Sequence, residues 1–253
     1  MKIVIPGGSG QVGTLLARAF HNDGHEVVVL SRRAQPAPWG VVEWDAKNPG
    51  PWVSELEGAD AIINLAGRSV DCRYNAKNRK EIISSRVDST RAVGRAIAAA
   101  ASPPRVWLQA GTATIYLHRY DAPNDEATGV MDPADPSSPD TWRFSIDVAA
   151  SWERALNEFS LPRTRRVVLR TSLVMNPDRG SVFDVMVGLV RRGLGGRMGD
   201  GRQFISWIHC DDYYRATCWL IAHDDLAIDQ YMAHIGSSHT SCDRRVRLKR
   251  RCK

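Results

Sequence analysis

Nowhere in this 253-residue chain does an apolar run approach the roughly 20 residues that a membrane-crossing helix requires. The N-terminus also lacks the apolar stretch of a secretory leader, because Met1-Lys2-Ile3-Val4-Ile5-Pro6 gives way at once to Gly7-Gly8. No membrane partner is expected. Cysteine is scarce: there are five, an odd number with no CxxC spacing, which argues against a disulfide framework and makes a reducing cytoplasm the default. His234, His239, Cys242 and Cys252 match no common zinc spacing, so no metal is expected. Internal repeats are absent. Excess charge is missing from most of the chain as well. Residues 243–253 carry seven Lys/Arg against one Asp, which leaves 27 positive and 27 negative residues over 1–242. The net charge of +6 is therefore a property of the tail, and the body gives no support for nucleic-acid binding.

What is present is an alternation of short apolar runs and amphipathic segments. Residues 2–5 (KIVI), 26–30 (EVVVL), 41–44, 61–65 (AIINL), 106–109 and 166–171 read as strands, most of them apolar throughout as in a parallel sheet buried on both faces. Residues 11–22, 76–100, 141–159, 181–192 and 209–222 read as helices. Residues 121–141, rich in Pro, Asp and Ser, read as a surface loop. The alternation predicts an α/β fold, a doubly wound parallel sheet with ligands beyond the carboxyl ends of its strands.

Four motifs fall at those ends. Gly7-Gly8-Ser9-Gly10-Gln11-Val12-Gly13 lies between the first strand and the first helix. Glycine there allows a tight turn and close backbone approach to a pyrophosphate at the helix N-terminus. The second strand ends in Leu30-Ser31-Arg32-Arg33. It lacks the acidic residue that would accept from the ribose hydroxyls of NAD, and arginine suits a 2′-phosphate, so NADP is preferred over NAD. Asn64-Leu65-Ala66-Gly67 lets the backbone pass close to a cofactor, and Gln109-Ala110-Gly111-Thr112-Ala113-Thr114 offers two hydroxyls. Either of these could also be an ordinary strand-end turn.

Together these residues resemble the extended short-chain dehydrogenase/reductase superfamily, whose fold is of the Rossmann type. GGSGQVG at 7–13 matches its cofactor loop, QAGTATIY at 109–116 its catalytic Ser/Thr segment, and Leu169-Arg170-Thr171 with Asn176-Pro177 a later segment. Trp44-Asp45, NLAG at 64–67, Ser85-Arg86-Val87, Trp152-Glu153 and GDGRQFISWIH at 199–209 bring it closest to the NAD-dependent epimerase/dehydratase family and its sugar-nucleotide epimerase-like subgroup. The resemblance covers residues 1 to about 228. It implies cofactor contacts from Gly7, Ser9, Gly10, Gln11, Val12, Gly13, Ser31, Arg32, Asp45, Leu65, Ala66 and Gly67. It implies a catalytic hydroxyl at Thr112, with Asp125 and Glu126 as acid–base candidates. Arg170, Arg202, Gln203, Trp207 and His209 become candidates for the substrate side, the two arginines for its phosphates.

Two departures stand out. The superfamily's Tyr-x-x-x-Lys pair is missing, since none of the six tyrosines has lysine four residues on. After about residue 228 the family pattern gives way to a basic tail. These observations suggest residues 1–170 as an NAD(P)-binding domain, 171–228 as an incomplete substrate lobe and 229–253 as a divergent, disordered tail. A lost lobe would expose apolar surface along the helices of 181–222. Two functions are compatible with this: a nicotinamide-dependent oxidoreductase or epimerase acting on a carbonyl or alcohol such as a nucleotide sugar, and an NADP(H)-binding module or redox sensor with little catalysis. The expected partner is a small-molecule substrate, and a homodimer stays open.

Overall fold

The computed structural model describes residues 1–117, 124, 129, 131, 136, 138–196, 205–224, 231–235 and 237–238. Seven parallel strands form the central sheet: β1 (Lys2–Pro6), β2 (Glu26–Ser31), β3 (Gly40–Glu43), β4 (Ala61–Asn64), β5 (Val106–Thr112), β6 (Arg165–Thr171) and, later in the chain, β9 (Tyr231–Ile235). Their spatial order is β3-β2-β1-β4-β5-β6-β9. The chain thus runs outward from β1 in one direction, returns, and runs outward in the other. The reversal lies between β1 and β4, the place where open α/β sheets hold ligands.

Apolar strands become two-sided because successive side chains point to opposite faces. Ile3, Ile5, Val27, Val29, Ile63 and Leu108 pack with α1 (Gln11–Asn22) and α5 (Cys210–Ala222). The intervening Val4, Val28, Ile62 and Trp107 face the other way, toward α2 (Ala76–Ala99) and α3 (Asp140–Asn157). Strands β1, β2, β4 and β5 therefore feed two cores, and the doubly wound architecture follows from period-2 apolar runs between amphipathic helices.

A second, small sheet has the order β10-β8-β7, from β7 (Leu173–Met175), β8 (Ser206–His209) and β10 (Ser237–Ser238). Helix α4 (Val182–Arg191) packs against its strand β7, which follows directly on the carboxyl end of β6. Among the described residues, no helix is long and apolar enough to cross a membrane.

Two sequence expectations need revising. Residues 231–235 fall in the stretch read as a tail, yet their backbone pairs in parallel with Val167–Thr171. The segment YMAHI is too short and too mixed to announce itself, and the long apolar edge of β6 recruits it. Residues 173–175, 206–209 and 237–238 also carry strands that no apolar run signalled. In α4 no residue is buried, and Phe183, Val185, Met186, Leu189 and Val190 are exposed, whereas α5 buries Tyr213, Leu220 and Ile221.

Candidate active site

The glycine turn is fixed by close approach rather than by flexibility. Gly7 has φ +77°, and a Cβ there would stand 2.6 Å from the Cα of Ala66. The turn after β1 and the turn after β4 therefore touch backbone to backbone, and the first tolerates no side chain. A Cβ on Gly13 would meet Gly8 Cα at 2.5 Å, so α1 starts directly against the turn. Gly10, the residue ahead of α1, has no side chain to cap the helix, and the N–H groups of the first turn lie open at its positive end. This is the donor set a pyrophosphate requires.

Two side-chain links hold the cradle. Ser31 Oγ donates to Ser9 Oγ at 3.1 Å, joining the end of β2 to the glycine turn. At the centre, the buried Asn64 amide donates to Gln109 Oε1 at 2.9 Å and accepts from Ala66 N–H at 3.1 Å. That amide pair locks the Leu65–Gly67 turn to β5. From the other side, Gln11 Nε2 donates to Gly180 O, and Arg18 meets Asp178 at 2.7 Å. The segment after β7 is thereby tied to α1.

Two clefts flank this cradle. The first, of about 420 Å³, is bounded by Arg32, Trp44, Asp45 and Trp52. Asp45 accepts from the N–H groups of Asn48 and Lys47, which hold its carboxyl below the usual range. Its carboxylate thus shapes the loop, while the Arg32 guanidinium has no ion-pair partner among the described residues. The second cleft, of about 460 Å³, opens on the other side. Val12, Leu65, Thr112, Thr114, Arg86 and Trp152 are among the residues that line it. Thr112 Oγ1 and Thr114 Oγ1 are 2.9 Å apart, and Thr112 accepts from the Thr114 N–H at 3.3 Å. Tyr213 also reaches this cleft, where burial pushes its phenol up to about 12. At neutral pH it is a hydroxyl, not a phenolate base.

The sequence candidates divide accordingly. Gly7, Ser9, Gly10, Gln11, Val12, Gly13, Ser31, Leu65, Ala66 and Gly67 converge on the cradle, Arg32 and Asp45 on the first cleft, and Thr112 on the second. Trp207 is half-buried in β8 opposite Leu173. His209 is exposed and caps α5, its Nδ1 accepting from Asp211 N–H at 3.2 Å. Asp125, Glu126, Arg202 and Gln203 lie outside the described residues.

Arg170 is a correction. Its Nε and Nη2 donate to the two carboxylate oxygens of Glu153, each at 2.8 Å, and Nη1 donates to Tyr116 Oη at 2.9 Å. Burial opposes its charge, but these bonds outweigh that and raise its pKa. The guanidinium is committed inside the protein and has no fork left for a substrate phosphate. What sequence reasoning missed is Arg86, which entered only as part of a family pattern. Burial lowers its pKa, opposed only by the field of Tyr74. Its one legible signal was its place in a helix starting shortly after Asn64-Leu65-Ala66-Gly67.

Comparison with known proteins places this geometry. A sequence profile of the NAD dependent epimerase/dehydratase family matches residues 3–232. The chain is 33% identical over 217 residues to the epimerase family protein SDR39U1 of Bos taurus, covering 84% of this chain and 67% of that protein. It is 32% identical over 215 residues to the epimerase family protein YfhF of Bacillus subtilis (strain 168), with the same coverage of each. Its structure is similar to a crystal structure of human epimerase family protein SDR39U1 (isoform 2) with NADPH, with a TM-score of 0.78 and 28% identity. That match covers 93% of this chain and 74% of the other. The chain thus spans about two-thirds of the length of the curated relatives it matches.

Proposed function

The chain belongs to the NAD dependent epimerase/dehydratase family, and from that premise we propose that it binds NADP(H) and transfers hydride to or from a carbonyl or alcohol compound. The observation that carries the reading is the backbone-tight glycine turn, bonded through Ser9 to Ser31 beside Arg32 and contributing Val12 to the cleft that holds the Thr112–Thr114 hydroxyl pair. The open N–H groups of α1 would hold the pyrophosphate and Arg32 the 2′-phosphate. A bound nicotinamide dinucleotide would supply a hydride donor or acceptor.

The protein's own part is orientation and proton handling. Thr112 donates a hydrogen bond to the reacting oxygen, with Thr114 holding its hydroxyl in place. Asp125 and Glu126 are the proposed acid–base pair in the absence of Tyr-x-x-x-Lys. A nucleotide sugar is the substrate that family membership suggests. The cytoplasm is the proposed location, supported by an odd number of cysteines, five, without CxxC spacing.

Fluorescence titration with NADPH and NADH tests the cofactor assignment. Arg32→Ala is expected to weaken NADPH about tenfold, on the order of the 1.4 kcal/mol that one lost charge-assisted contact costs, and to leave NADH within twofold. Equal losses for the two dinucleotides would count against a 2′-phosphate contact. Turnover of NADPH against a carbonyl panel, abolished in Thr112→Ala, tests the chemistry. The missing Tyr-x-x-x-Lys pair favours a second reading, a binding module. Tight NADPH binding with no turnover on any panel member would select it.

A further inference from the structure

Arg86 brings a guanidinium into the second cleft without a carboxylate to match it. Its Nη1 donates to two backbone carbonyls, Arg68 O and Ile82 O, each at 3.0 Å. Its guanidinium carbon lies 4.9 Å from the centre of the Trp152 ring, which fixes the plane. Trp152 is itself held by a 3.1 Å bond from Nε1 to Thr90 Oγ1. None of the hydrogen bonds among the described residues occupies the other edge, Nε and Nη2. The acids near it along α2 are engaged elsewhere, Glu81 with Arg68 and Asp88 with Lys47. On α3, Asp140 meets Arg79 and Glu153 meets Arg170.

The same chain shows what that edge is built to do. In Arg170 the Nε–Nη2 edge receives both oxygens of Glu153, and in Arg91 it receives both oxygens of Glu158, at 2.7 and 2.5 Å. A half-buried cation favours an anion, because withdrawing charge from water without a partner is costly. Thr112 and Thr114, with their paired hydroxyls, line the same cleft. We infer that Arg86 is the anion anchor of this cleft, and that the substrate of the proposed reaction carries a carboxylate on the Nε–Nη2 edge of Arg86 while its carbonyl or alcohol oxygen meets Thr112. The inference rests on the proposed function and narrows its substrate class.

Oxamate and oxamide differ by a carboxylate against a neutral amide, which makes them suitable probes. Calorimetric titration of the NADPH-loaded chain is expected to show oxamate binding at least tenfold tighter than oxamide. Arg86→Met is expected to remove that preference while leaving NADPH affinity within threefold. Arg86→Lys, with charge but no fork, is expected to fall between. Equal affinities for the two probes, no binding of either, or oxamate affinity unchanged in Arg86→Met would each overturn the assignment. So would a tenfold loss of NADPH affinity in Arg86→Met with oxamate affinity intact. If Arg86→Met does not fold, the two probes on the unaltered chain decide. A chain that takes up no NADPH would sink the dinucleotide reading instead, and the two probes on the bare chain would then judge Arg86 separately.

Discussion

Two arginines near the cleft illustrate how local partners, not residue type, set a role. The side chains of Arg170 and Glu153 are only 2% and 13% exposed, and a buried pair punishes the loss of one partner more than the loss of both. Glu153→Gln is expected to lower stability by about 3 kcal/mol in urea unfolding at neutral pH, because it strands the Arg170 charge. The double substitution Glu153→Met with Arg170→Met is expected to cost less than Glu153→Gln alone. A double variant less stable than the single one would show that the pair contributes net attraction. The sequence could not separate Arg170 from Arg86: one follows an apolar run and the other lies within a helix, and only the folded neighbours distinguish a filled fork from an open one.

At the level of elements, α2 meets the chain just beyond the end of α3 through a position with no side chain. A Cβ on Gly94 would run into the Phe159 ring, whereas one on Gly188 in α4 would touch nothing within 4 Å. Alanine therefore has opposite effects at two helical glycines. Gly94→Ala is expected to destabilise by about 1–2 kcal/mol, since overpacking outweighs the helix-propensity gain. Gly188→Ala is expected to stabilise by about 0.5–1 kcal/mol. Thermal unfolding of the two variants reads the signs, and a stabilised Gly94→Ala would mean that the ring yields freely. The helices and the long parallel strands were legible because their periods are 3.6 or their runs apolar. Helix α1 coincides with residues 11–22 as read from the sequence, where Val12, Leu15, Leu16, Ala19 and Phe20 fall at helical spacing. The glycine turn and Thr112 were legible from their positions at strand ends. Strands β7, β8 and β9 were not, since runs of three to five residues are too short to signal a strand and become strands only through the edges they join. The amide pair of Asn64 and Gln109 was hidden for the same reason, its members being 45 residues apart.

For the whole molecule, acid should act through carboxylates that tie separate elements together. Arg18 holds Asp178, Arg79 holds Asp140 and Arg91 holds Glu158, each lowering its partner's pKa. Glu57 is lowered by the N–H groups of Ser102 and Ala101. Groups depressed in the folded state leave it with fewer bound protons than the unfolded chain, so stability rises with pH through this range. Their contribution is complete above the ordinary carboxylate values near 4 and is lost as pH falls through the depressed ones. The urea midpoint is expected to be level from about pH 6 to 5 and to fall steadily below about pH 4.5. A midpoint unchanged down to about pH 3 would show that these ties hold nothing. One property of the sheet reaches beyond the finished structure. In the order β3-β2-β1-β4-β5-β6-β9, every strand, taken in sequence, joins an edge that is already present. No strand has to be inserted between two that are already paired. A chain emerging N-terminus first from a ribosome could therefore lay down this sheet as it is made, without undoing a single pairing.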